Sequence, residues 1–312
     1  MEKRIVLVLG LVLLLVASPA KGQQLTPEEQ IKQAVYVIEE AMKGKGEVNW
    51  TAGYIQAVGE GYPAKWATDH ARKLGSARAA AIVVAERNLL AAIKGITIDS
   101  VTKIENQAIA SDLILKQVKG ILKGAQVVKE LTKVEEFPDG SIKVSATVRM
   151  PIYGKGGLAD VVQPLPGGAL PSNVRPYWAT ADNPFDLTKI PAEIKKPLPE
   201  VYTGLIIDTR GLQLHPAMAP KILTENGMEV YGTAFVNRDY TISQGIVGYA
   251  KGLDFAKKME RVTDNPLIVK AIKSAGTKKT DVVVSLEDAY KIEKLKQRQS
   301  FLDQCRVVFL VD

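Results

Sequence analysis

The chain reads as an α+β protein of two small domains, each with helices packed on a mostly antiparallel sheet, behind a secretory signal peptide. Three observations carry this reading. Apolar residues at helical spacing alternate with short β-branched runs along the chain. Pro138-Asp139-Gly140 and Asn226-Gly227 mark hairpin turns between such runs. Nine of the sixteen prolines fall within 151–200 and separate the two patterned regions.

The first 22 residues have the three parts of a signal peptide. Lys3 and Arg4 supply the positive start, Ile5 to Ala17 the apolar stretch, and Ser18-Pro19-Ala20 or Ala20-Lys21-Gly22 a small-residue cleavage site. The apolar stretch falls short of the roughly 20 residues that a membrane span needs. Without it, no transmembrane span is expected. No cysteine stands at the cleavage region, so the mature chain is not expected to be a lipoprotein. A periplasmic or secreted location follows. Cys305 is the single cysteine, so an exported core must hold without an internal disulfide.

Residues 23–150 form the expected N-terminal domain. Thr26, Pro27 and Glu29 cap a helix whose apolar face is Ile31, Val35, Ile38 and Met42, with Gly44 as its stop. Glu47 to Gly59 reads as a strand with a bulge at Gly53. An alanine-rich helix runs from about Ala64 to Lys94. Ala67, Ala71, Leu74, Ala81, Ala85, Leu89 and Ala92 make a small-residue face that can sit close to a sheet. Gly95 ends it and Ile96 to Ile104 is extended. A helix over 111–122 and a hairpin of 125–137 with 141–150 complete the domain.

Residues 151–200 are expected to be a Pro/Gly-rich linker, docked as a strap through Tyr153, Tyr177, Trp178 and Phe185. Residues 201–312 form a C-terminal α/β domain. Its expected strands are 202–208 with a continuation at 212–214, then 221–223, 229–231, 245–250, 267–272, 278–285 and 306–311. A helix spans 286–304.

The chemistry of the sequence is spare. The net charge is +7, and signal cleavage after Gly22 removes three positive charges and one negative, leaving +5. Lys and Arg are interspersed with acids, so no nucleic acid partner is expected. The two histidines, His70 and His215, lie far apart, and no metal site or cofactor is expected. No Gly-x-Ser-x-Gly or phosphate-loop motif occurs. Gly154-Lys155-Gly156-Gly157 opens no helix. The enzymatic alternative rests on carboxylates at strand ends and turns, Asp208, Asp264 and Asp281, which would serve an exported hydrolase or a polysaccharide-binding site. Asp208 followed by Arg210 also reads as a paired turn.

Four segments of the N-terminal domain carry a more specific signal: Gly53-Tyr54-Ile55-Gln56-Ala57-Val58-Gly59, Ala77-Arg78-Ala79-Ala80, Ala85-Glu86-Arg87-Asn88-Leu89 and Gly95-Ile96-Thr97-Ile98-Asp99-Ser100. Together they resemble the LPP-type envelope lipoprotein family, which is similar to the flagellar accessory proteins FlgP and FlgT. The resemblance covers about residues 47–150. It implies a non-enzymatic, outer-membrane-associated or flagellum-associated module that assembles with itself or with an envelope protein. The chain departs from that pattern in lacking the lipidated cysteine. Arg78, Arg87, Asp208 and Arg210 are the candidate interaction residues. Arg78 and Arg87 either meet acids of a neighbouring strand or subunit, or pair within the domain.

Overall fold

A long helix laid on an antiparallel sheet forms the N-terminal half. The computed structural model describes residues 32, 34–41, 43–100, 120, 122, 125–162, 185–194 and 201–312. The signal peptide, the capping residues Thr26 to Glu29, most of the 111–122 helix, Tyr177 and Trp178 lie outside them. Strands β1 (Ile38–Ala41), β2 (Gly46–Asn49), β3 (Tyr54–Gly61), β4 (Gln126–Val127), β5 (Lys133–Glu136) and β6 (Ile142–Pro151) pair in the order β1-β2-β3-β6-β4, with β5 also on β6. Every pairing is antiparallel.

Helix α1 (His70–Lys94) starts six residues later than the alanine pattern suggests. Asp69 is the reason: its carboxylate accepts the Arg72 N–H at 2.8 Å and satisfies a free helix-end donor. The buried stripe Ala77, Ala81, Ala85, Leu89 and Ala92 faces β3 and β6. Gly59 and Gly61 lie beneath it. A Cβ at either would stand under 3.0 Å from the backbone of α1, at Ala85 and Ala81 or at Ala77 and Ala81. The predicted close helix–sheet approach is therefore made by small residues on both partners.

Two local expectations are corrected here. The helical spacing of Ile38 and Met42 predicts a helix through both, but Ile38–Ala41 is an edge strand paired with β2. Its burial alternates residue by residue, the period of a strand, and the Trp50 N–H anchors the preceding Val37 carbonyl at 2.9 Å. Gly53, expected as a bulge, is the left-handed residue (φ 70°) of the turn joining β2 to β3. The Pro138-Asp139-Gly140 hairpin forms as expected, with Phe137 N–H on Ser141 O at 2.9 Å and Gly140 at φ 76°.

The C-terminal half holds two four-stranded sheets. One contains β7 (Gly204–Asp208), β10 (Gly248–Ala250), β11 (Pro266–Lys270) and β14 (Val307–Leu310) in the order β10-β14-β7-β11, all parallel. The other contains β8 (Ile222–Thr224), β9 (Glu229–Tyr231), β12 (Lys273–Ala275) and β13 (Asp281–Val284) in the order β12-β13-β8-β9, with β13 and β8 parallel. The α+β class stands. In this half parallel pairing outweighs the antiparallel pairing expected, because helical crossovers separate the strands.

Short helices α3 (Arg238–Gln244) and α4 (Leu253–Lys257) lie between β9 and β11, and α5 (Leu286–Arg298) between β13 and β14. Ser285 caps α5 through the Asp288 N–H. The helix ends at Arg298 rather than Gln304, since Gln299 is extended and Cys305 takes a left-handed φ of 57°. Residues 212–214 do not extend a strand, and Gln213 there also has positive φ.

One apolar core runs through both halves. Trp50, Ile55, Leu89 and Ile98 belong to the same buried cluster as Leu205, Ile207, Tyr249 and Phe309. Trp50 meets Tyr249 edge-on at 5.7 Å, and Tyr249 meets Phe309 at 6.1 Å. Thr51 Oγ1 donates to Tyr249 O at 2.8 Å, and the Met218 and Ala219 amides bind Thr97 O and Ile98 O. Where described, the proline-rich stretch lies on this core. Helix α2 (Leu158–Val162) buries Leu158 and Val162, and Phe185 binds Glu229 O through its amide.

Candidate functional site

The carboxylates named as catalytic candidates are held apart. Asp208 ends β7, where Arg210 donates from Nε to Oδ1 at 2.8 Å and from Nη2 to Oδ2 at 2.6 Å. The hydrogen bonds from Arg210 hold its carboxyl below the ordinary range, against the opposing effect of burial. A fork of this kind engages both carboxylate oxygens. The Gly211 amide meets the Asp312 carboxylate at 2.9 and 3.0 Å, so a second acid lies beside the same guanidinium.

Asp264 precedes Pro266, which pairs with Gly204 at the start of β7, whereas Asp208 pairs with Lys270 at its end. The two acids sit at opposite ends of the same parallel pair. Asp281 belongs to the other sheet and has other partners. Arg78 and Arg87 are both exposed, on the side of α1 away from the sheet. His70 opens α1, 3.7 Å from Glu136, and His215 is exposed in a loop.

Asp281 lies at the seam between the halves. Burial pushes its carboxyl above the usual value of 3.8, and neighbouring Asp99 adds to the rise. Hydrogen bonds from the Lys221 amide (3.0 Å) and Ser100, and the Lys221 charge, oppose it. A raised folded-state pKa means that the fold favours the neutral acid. The associated stability is full below the unfolded value of 3.8 and is lost as pH rises through the folded value. Asp281→Asn retains the acceptor without ionising. Its urea midpoint should match the parent at about pH 3 to 4 and exceed it at neutral pH. A lower midpoint at neutral pH would show that the anion is the stabilised form.

A second buried polar group lies in the C-terminal half. Arg261 donates from Nη1 to Gly245 O (3.0 Å) and Cys305 O (2.8 Å), and from Nη2 to Gln244 O. Burial lowers its pKa, while Tyr153, Tyr231 and Cys305 nearby oppose the change. Tyr153 is pushed up to about 12, by burial first. Burial also raises the Cys305 thiol, which makes it an inert packing group rather than a nucleophile. Its sulfur lies 3.7 Å from Thr241 Oγ1.

The face of the N-terminal sheet opposite α1 carries an organised polar surface. Strand register aligns Glu40, Glu47, Gln56, Arg149 and Gln126 in one row across five strands. Arg149 donates to Gln56 Oε1 at 2.9 and 2.6 Å and stacks 4.0 Å from the Tyr54 ring centroid. Gln56 and Tyr54 both donate to Glu47. Beside the row is a depression of about 330 Å³ lined by Ile38, Glu40, Lys45, Glu47, Gln56 and Val58. Sequence reasoning missed this surface. Its signal was the period-two series Tyr54, Gln56, Glu60, interrupted by the apolar Val58, set against Lys143, Ser145, Thr147, Arg149.

Among the described residues, no helix is long and apolar enough to cross a membrane. No curated protein matches the chain. Residues 204–312, about a third of the chain and all of β7 to β14, are similar to the family of the Treponema pallidum Tp0624 second domain.

Proposed function

We propose that this is an exported, non-catalytic protein of the cell envelope that acts by binding a protein partner or by assembling with itself. The open, pre-ordered polar face of the N-terminal sheet is the observation that carries the reading. Its side chains are fixed by one another before any partner arrives, which lowers the ordering cost of association. The signal-peptide pattern supports a periplasmic or secreted location. The resemblance over residues 47–150 supports an outer-membrane-associated or flagellum-associated role. The alternative, an exported hydrolase or polysaccharide-binding protein, would have to work with Asp208 paired to Arg210.

Light scattering on the mature chain tests this reading. A mass above the monomer, or a defined envelope protein cross-linked to the open face in cells, is the expected result. Arg149→Glu should reduce the association while leaving stability within about 1 kcal/mol of the parent, as for a half-buried side chain bonded to a neutral amide. A monomer at all concentrations with no cross-linked envelope partner would overturn it.

A further inference from the structure

We infer that one end of the N-terminal sheet is a lipid-facing surface, where exposed aromatic rings enter the headgroup boundary of a phospholipid membrane. Tyr62 and Trp66, in the loop from β3 to α1, are 59% and 68% exposed, and Phe137, at the β5–β6 turn, is 41% exposed. Long-range pairing brings these segments together. Gly61 pairs with Val144, so Tyr62 leaves the sheet beside Lys143, and the His70–Glu136 contact of 3.7 Å ties the start of α1 to the hairpin. Phe137 is held at the turn by its own amide on Ser141 O and by the Gly140 amide on its carbonyl.

Area decides between a bilayer and a protein partner. An aromatic side chain buries about 150–250 Å², so at these exposures the three rings offer roughly 300–400 Å². A standard protein interface takes about 800 Å² from each partner. The rings also stand on a loop and a turn at the end of the sheet rather than on its face. Trp and Tyr with an adjacent Lys65 have the amphipathic chemistry of a membrane–water boundary. Charges on these segments nearly balance: Lys65, Arg72, Lys73 and Lys143 against Glu60, Asp69, Glu135, Glu136 and Asp139. Attraction therefore comes mainly from the rings and changes little with salt.

The inference rests on the exported location proposed above, not on self-assembly. The test is co-sedimentation of the mature full-length chain with phosphatidylcholine vesicles and with phosphatidylethanolamine–phosphatidylglycerol vesicles. Binding to both is expected, with a blue shift of the emission component lost in Trp66→Phe. Tyr62→Ser, Trp66→Ser and Phe137→Ser together should weaken binding about tenfold or more, with an unchanged urea midpoint. Trp66→Ser alone should give part of the loss if the triple variant folds poorly. No binding to either vesicle, or equal binding by the variants, overturns the inference. Loss of oligomers in the triple variant without loss of vesicle binding assigns the rings to a second copy instead, and also overturns it. A chain that assembles but ignores vesicles defeats this inference alone. One that binds vesicles as a partnerless monomer defeats only the assembly reading.

Discussion

Gly61→Ala should be among the most damaging single-methyl changes in this protein. The added Cβ would fall under 3.0 Å from Ala77 O and Ala81 N, and Gly59→Ala would meet Ala85 N and Ala81 O equally closely. These are backbone atoms of α1, so no side chain can move aside. Ordinary overpacking costs about 1–3 kcal/mol. Here the whole helix must lift from β3, and about 3 kcal/mol or more is expected for either change. Ala81→Gly should not rescue them. Gly75→Ala is the control: it lies within α1, nothing stands within 4 Å of the place its methyl would take, and it should stabilise by about 0.5–1 kcal/mol. Urea midpoints measured by circular dichroism check all three. Near-parental stability of Gly61→Ala would show that helix and strand have room to separate.

Arg261→Met should carry the second large effect. Methionine keeps much of the buried volume but removes the side-chain donors to the Gly245 and Gln244 carbonyls and one of the two donors to the Cys305 carbonyl, which keeps the Val307 amide. Leaving a buried carbonyl without its donor costs about 1–3 kcal/mol each, so about 3 kcal/mol or more is expected in all. Part of that cost is the unmet carbonyls at the end of α3, and part is the loose approach to β14. Arg261→Lys should recover a fraction, since an ammonium cannot span all three acceptors in the guanidinium's geometry. Thermal unfolding gives the magnitude, and amide exchange at Val307 and Val308 gives the location. A variant as stable as the parent, with protection at β14 intact, would show that the carbonyls find water instead.

Local signals were legible in the sequence. The alanine stripe of α1, the turns at Asp139-Gly140 and Asn226-Gly227, and the strand–helix–strand unit at the end all follow from residues within one or two turns of each other. Long-range pairing was not. Ile38 has helical spacing with Val35, yet β2 draws it into a strand. Helices α3 and α4 are too short to show a period, and β12 exists because β13 lies beside it. The candidate site divides the same way. Asp208 and Arg210 are near neighbours, and their pairing could be read directly. The row from Glu40 to Gln126, the aromatic end of the sheet and the acceptors of Arg261 depend on register and on loops that meet only after folding.

The aromatic contacts from Trp50 through Tyr249 to Phe309 bear on how this chain can be divided. The family similarity begins at the first residue of β7, but Tyr249, which packs on Phe309, finds part of its cover in Trp50 on the other side of that boundary. An isolated 204–312 fragment would carry a wet aromatic face and would be prone to aggregate. Inheritance as a module and autonomy as a folding unit are thus separate properties here: a homologous segment in another protein needs its own lid for that face.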